Sequence, residues 1–210
     1  MAGGDETVAL LRRWQGGDRE ALLELLARDR DWVETAIRSG RGPVLRALEE
    51  TGDGVQELML RALAYVPRFL VANREQFRAL LTRMIRNLLV DRARAAHRQP
   101  RPQTVSEADA VSARLSMSPA HEVTPPAAAA ERAEELGWMR LGLEFLPPDE
   151  RRIVLMRSFE ELEFAAIGEV IGAAANATRM RYKRALLKLA GIVERLQRGE
   201  LDALLEQPDE

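Results

Sequence analysis

"LPPDERRIVLMRSFEELEFAAIGEVIGAAANATRMRYKRALLKL", residues Leu146–Leu189, is the stretch on which the fold turns. Pro147 and Pro148 precede Asp149, a suitable cap for a helix carrying Ile153, Val154 and Met156. A second helix carries Phe164, Ile167, Val170 and Ile171. Gly172 ends it, alanines turn the chain, and Asn176 opens a long basic helix. Two helices, a tight glycine-containing turn and a basic second helix make a helix-turn-helix.

The last helix sorts by geometry. At ~100° per residue, Thr178, Tyr182, Ala185 and Leu189 share one side and are expected to pack inward. Asn176, Arg179, Met180 and Lys183 share the opposite side, where a major groove would receive them. Ala177 adjoins them at the helix start, and Arg181 and Arg184 flank the face where phosphates would lie. A lone basic helix is ordinarily no more than a solvated face. Here the turn, the preceding helix and the segregation of charge coincide, and together they favour DNA.

Composition frames that motif. The chain has 210 residues, long enough for two small domains, with 46% hydrophobic and 30% charged residues. Aromatics are scarce at 5%, and Leu, Ala, Arg and Glu dominate, which is helical composition. No cysteine is present, so disulfides, thiolate metal sites and cysteine nucleophiles are all excluded, and a reducing cytoplasm suits the chain. No apolar run approaches the ~20 residues that span a bilayer, and MAGGDETVALL has no basic-then-apolar signal pattern. A cytoplasmic location is therefore expected.

The net charge of −2 conceals local asymmetry. Residues 78–101 hold seven arginines against Asp91 alone, and residues 176–188 hold five Lys or Arg and no acid. The tail 199–210 holds five acids and no base. Two basic segments in a near-neutral chain point toward nucleic acid.

Three blocks organise the rest, and the expected fold class is all-α: two small helical domains joined by a flexible linker. In the first block, 5–98, Val55, Leu58, Met59, Ala62, Leu63 and Val66 recur at helical spacing until Pro67 closes the pattern. After a polar loop, Phe77, Leu80, Leu81, Met84, Ile85, Leu88 and Leu89 form a cleaner stripe. Two such faces need each other, so the block reads as a bundle. Earlier helices are expected near Arg19–Arg28 and Trp32–Arg38, and another near Val44–Glu50 after Gly40, Gly42 and Pro43 break the chain. Residues 99–133 read as the linker, with five prolines and no sustained period between Gln99 and Glu131. Residues 134–198 are helical again. The acidic tail is expected to be solvated, or to shield the basic helix until a partner binds.

Leu146–Leu189 resembles the C-terminal, upstream-element-binding domain (region 4) of bacterial RNA polymerase sigma factors. Its "LPP.ER" start and Gly172, Arg179, Arg181, Arg184 and Ala185 stand at matching positions. The alanine-rich turn, Thr178 and Met180 depart from the family pattern, which bears on the preferred DNA sequence rather than on the fold. "DGVQELMLRAL" (Asp53–Leu63) resembles the family's acidic helix that docks on the clamp helices of the polymerase's largest subunit, in region 2. That resemblance assigns docking to Asp53, Gln56, Glu57 and Leu60. "FRALLTRMIRNLLVDRARAAHR" (Phe77–Arg98) resembles the helix facing the start-proximal promoter element. Arg83, Asn87, Arg94 and Arg98 lie off its apolar stripe, where they can meet phosphates or unpaired bases. In the family the preceding loop captures a flipped base of the non-template strand, which makes Asn73 and Arg74 candidates.

Only these two domains are recognised, which implies the small extracytoplasmic-function class. The implied partners are core RNA polymerase and promoter DNA, as duplex and as non-template single strand, with an anti-sigma factor among those the family allows. No cofactor, metal site, membrane partner or catalytic group is expected, since His97 and His121 stand far apart and no phosphate loop or carboxylate pair occurs. The competing reading is a stand-alone helix-turn-helix regulator that binds a palindromic duplex as a dimer. A weaker one is a helical interaction module with solubilising basic faces.

Overall fold

The computed structural model describes residues 2–42, 45, 51–63, 71–96 and 126–207, and among these residues it is built from helices with no strand. The helices are α1 (Ala2–Gln15), α2 (Arg19–Arg28), α3 (Arg30–Gly40), α4 (Thr51–Leu63) and α5 (Arg74–Ala96) in the first half. The second half holds α6 (Pro126–Leu143), α7 (Pro148–Ser158), α8 (Phe164–Ile171), α9 (Ala175–Gln197) and α10 (Leu201–Leu205). The all-α class is as expected. Apart from Leu45, which is helical and buried, the helix anticipated near Val44–Glu50 lies outside the described residues, as do Pro67 and most of the linker.

Local chemistry explains the boundaries. The Asp18 carboxylate accepts from the amides of Glu20 (3.0 Å) and Ala21 (3.3 Å), which caps α2 at the residue where helix was expected to begin. α5 starts three residues earlier than its apolar stripe. Asn73 Oδ1 accepts from the Gln76 amide at 2.9 Å, while Gln76 Oε1 accepts from the Ala72 amide at 2.6 Å. This reciprocal arrangement closely resembles a capping box. The expected cap at Asp149 is not made. Pro147 occupies the cap position and Pro148 the first turn, as proline's fixed φ allows. α6 begins at Pro126, inside the stretch read as linker, because Pro126 and the alanines after it start a helix as readily as they end a loop.

The first-half helices bury one stripe each. Trp14 of α1 meets Phe77 of α5 edge-on, with ring centroids 5.9 Å apart. Leu22 and Leu25 of α2, Ile37 of α3, Leu58 of α4 and Leu81 and Met84 of α5 complete that core. Asp29, at the α2–α3 junction, is buried beneath Arg74 and Arg78 of α5 at 2.5 and 2.6 Å. Burial raises its pKa, but the two guanidiniums outweigh burial and hold the carboxyl below its ordinary range.

The same buried cluster continues into the second half through Leu141, Phe145, Leu146, Val154, Ala185 and Leu189. The two blocks therefore share apolar surface. The tail also departs from expectation. α10 buries Leu201 and Leu204 in this cluster and lies against α5, so it neither stands in solvent nor covers the basic face of α9.

Candidate nucleic-acid interface

The helix-turn-helix is formed by α8 and α9 over a small second cluster of Ile153, Met156 and Ile167. Gly172 ends α8 in the left-handed conformation (φ 68°), which glycine adopts without a side-chain clash. Gly168 is a glycine for a different reason. A Cβ there would stand 2.3 Å from the Ala173 carbonyl oxygen and 3.3 Å from Thr178 Oγ1. Gly168→Ala is expected to force the turn outward and destabilise this unit by about 1–3 kcal/mol, read as a lowered thermal midpoint.

Thr178, Ala185 and Leu189 are buried and Tyr182 is half-buried, as the helical geometry required. The Thr178 hydroxyl donates to the Ala174 carbonyl at 3.1 Å, so its polar atom is satisfied where an aliphatic side chain was expected. Tyr182 packs on Phe164, with centroids 5.5 Å apart, and its hydroxyl lies 3.1 Å from Ser158 Oγ. Lys188 pairs with Glu150 at 3.1 Å and ties α9 to α7.

Asn176, Ala177, Arg179, Met180, Arg181, Lys183 and Arg184 are all exposed. Among the described residues, Arg181, Lys183 and Arg184 make no ion pair or hydrogen bond, so their charges stay directed to solvent. Arg179 lies over the Phe164 ring at 5.4 Å, and Arg157 lies over the same ring at 4.9 Å. Phe164 thus holds a cation at the edge of the reading face, a contact that spacing along α9 alone does not reveal.

The α5 candidates sit differently. Arg83 Nε donates to the Glu144 carbonyl at 2.8 Å, and its guanidinium stacks on Phe145 at 4.7 Å. Burial and neighbouring Arg86 lower its pKa, against an opposing pull from Glu144. Asn87 is only 4% exposed and donates to the Glu144 carbonyl (3.0 Å) and carboxylate (2.7 Å). Arg94 reaches Asp149 at 2.5 Å. These three side chains lie off the apolar stripe of α5, as read, but their polar face is covered by the α6–α7 turn rather than open to solvent. Asn73 is exposed with its carbonyl engaged in the cap, Arg74 is held by Asp29, and Arg98 lies outside the described residues.

On α4, Asp53, Gln56 and Leu60 form one exposed stripe. Glu57 does not join it. Its carboxylate is buried between Arg61 and Arg92, at 2.7 Å from each, because the basic face of α5 draws it inward. Arg61 is enclosed as well, and though burial lowers its pKa, the carboxylates of Glu57, Glu144 and Asp91 raise it above the ordinary arginine value. Among the described residues no helix is long and apolar enough to cross a membrane. Nor do they contain a group of three or more His, Cys, Asp or Glu that could hold a metal ion.

Residues 136–189, which hold α7, α8 and most of α9, match the family described as Sigma-70, region 4. Similarity also extends beyond that unit. The proteins named ECF RNA polymerase sigma factor SigD from Mycobacterium bovis and from two strains of Mycobacterium tuberculosis are each 28% identical over 186 residues. Those matches cover 89% of this chain and 83% of each relative. A helix-turn-helix with a solvent-directed basic face, a region 4 match on that unit and similarity through both halves make this chain similar to the extracytoplasmic-function sigma factors of RNA polymerase.

Proposed function

We propose that the chain, as a sigma factor directing promoter-specific initiation, divides its work between two surfaces. The exposed α4 stripe of Asp53, Gln56 and Leu60 docks on the clamp helices of core polymerase. The outer face of α9 reads the upstream promoter element. Asn176 and Arg179, nearest the helix start, meet base edges, while Arg181, Lys183 and Arg184 hold phosphates. The observation that carries this reading is the sorting of α9. Its exposed side collects four cations and its inner side packs on the α7–α8 cluster.

Helix α5 supplies the start-proximal contacts through Arg83, Asn87, Arg94 and Arg98, with Asn73 and Arg74 beside the flipped base. Glu57 acts beneath the docking stripe, orienting α4 through Arg61 and Arg92, rather than within it. The protein works in the cytoplasm, and an anti-sigma factor is a fitting regulator of its docking face.

The docking assignment is tested on residues that do not hold the bundle. Gln56→Ala with Leu60→Ala removes two exposed side chains, so stability is expected to stay within about 0.5 kcal/mol of the parent. Affinity for core polymerase, measured by fluorescence anisotropy, is expected to fall about tenfold. Unchanged affinity sinks the assignment.

A further inference from the structure

A residue that reads a base edge must hold its donors in one geometry, whereas one that holds a phosphate needs little more than its charge. The exposed cations on and beside the reading face of α9 divide on that ground. Arg181, Lys183 and Arg184 have no ion pair, hydrogen bond or ring contact among the described residues. Arg179 has no ion pair or hydrogen bond among them either, but its guanidinium lies over the Phe164 ring, 5.4 Å from the centroid. Phe164 is the first residue of α8, so this contact joins the two helices of the motif at the end of α8 away from the turn.

The ring is itself anchored. Tyr182 of α9 packs on it with centroids 5.5 Å apart, and the Tyr182 hydroxyl lies 3.1 Å from Ser158 Oγ of α7. The acid next to Phe164 in the chain is engaged as well. Glu163 pairs with Arg157 at 3.4 Å, and Arg157 donates to the Leu162 carbonyl at 3.0 Å while lying 4.9 Å from the same ring. Arg157 thereby occupies the carboxylate that would compete with a base for Arg179. Its like charge also disfavours collapse of Arg179 onto the α7–α8 loop.

We propose that Phe164 is a positioning residue of the upstream-element interface. Its ring holds the Arg179 guanidinium ready for a base edge, and so sets sequence discrimination without touching DNA. An arginine that is free in solution loses rotamer freedom when it binds in one geometry, and a pre-set one loses less. The proposal rests on reading α9 as the promoter-reading helix. It adds a physical reason why Arg179, rather than Arg181, Lys183 or Arg184, discriminates between bases.

The full chain with core polymerase, transcribing a promoter library, reads the effect. Phe164→Leu keeps apolar bulk and removes the π face. Discrimination at the base pairs that Arg179→Ala relaxes is expected to fall about two- to fivefold, the size of an exposed cation–π contact. Phe164→Tyr should keep the parental preference. The salt slope on a fluorescein-labelled mixed-sequence duplex should not change with Phe164→Leu, because no phosphate contact is lost. In an Arg179→Ala background, Phe164→Leu should have no further effect on preference. Trifluorophenylalanine in place of Phe164 keeps the shape of the ring and weakens its negative face. It should relax the same base pairs even where the leucine variant folds poorly. Parental discrimination in the folded leucine variant or in the fluorinated one overturns the proposal. So does an equal loss in the Arg179→Ala background, or a tyrosine variant that relaxes preference as leucine does. If Arg179→Ala itself leaves preference unchanged, the reading of α9 fails as well. If Arg179→Ala relaxes it and Phe164→Leu does not, only the positioning role falls.

Discussion

Glu57→Ala is expected to destabilise the first-half bundle by about 3–5 kcal/mol, because it strips the shared counter-ion from buried Arg61 and largely covered Arg92. Arg61 lies enclosed between α4 and α5, and Arg92 reaches Glu57 Oε2 through both Nε and Nη2, at 3.0 and 2.7 Å. Asp91 is the next carboxylate, 3.5 Å from Arg61, and it is already engaged by Arg151. It cannot serve all three cations. Replacing a surface glutamate would ordinarily cost little, so urea denaturation discriminates sharply between a buried and an exposed Glu57. Glu57→Gln should fall between the parent and the alanine variant, since it keeps a hydrogen-bond acceptor and loses the charge.

Arg179→Ala and Arg184→Ala are expected to damage promoter use in different ways. Arg179 stands one turn beyond Asn176 on the exposed face, steadied over Phe164. Its loss should cost about 1–3 kcal/mol at matched promoters and relax preference at one or two base pairs. Arg184 flanks the face with no partner among the described residues. Its removal should weaken binding about equally across sequences and lower the salt slope by about one unit. Transcription from a promoter library at several salt concentrations reads both effects together. Identical, unchanged sequence preference in the two variants would mean that α9 does not read DNA in this way.

These two cases show what the sequence made legible. Helical spacing placed Thr178, Ala185 and Leu189 inward and Arg179, Lys183 and Arg184 outward, because one helix packed on one side has a single solution. The helix expected near Arg19–Arg28 is α2, with those bounds. The family resemblance put Glu57 beside Gln56 on the docking face, and there the reading stopped. Angular position on α4 does not disclose that Arg92, thirty-five residues later, comes close enough to draw the carboxylate in.

Contacts distant in sequence account for the other departures. Asn87 and Arg83 are off the apolar stripe of α5, yet Glu144 reaches them from 57 and 61 residues away. Acidic composition suggested a solvated tail, but Leu201 and Leu204 sit at the spacing that buries one side of a short helix. Gly168 carried a local signal that was passed over. A glycine inside an otherwise apolar helix marks a close approach, here by the turn backbone. The capping pair Asn73 and Gln76 was likewise present as an N-x-x-Q pattern, and it fixes where α5 begins.

The most direct measurement is run-off transcription from a genomic promoter library, using purified core polymerase with and without this chain. Initiation that depends on the chain, at sites sharing one upstream and one start-proximal element, and that fails when Gln56 and Leu60 are both alanine, is the expected result. A chain that adds no transcripts to core polymerase, and instead binds a palindromic duplex as a dimer without it, would contradict the assignment.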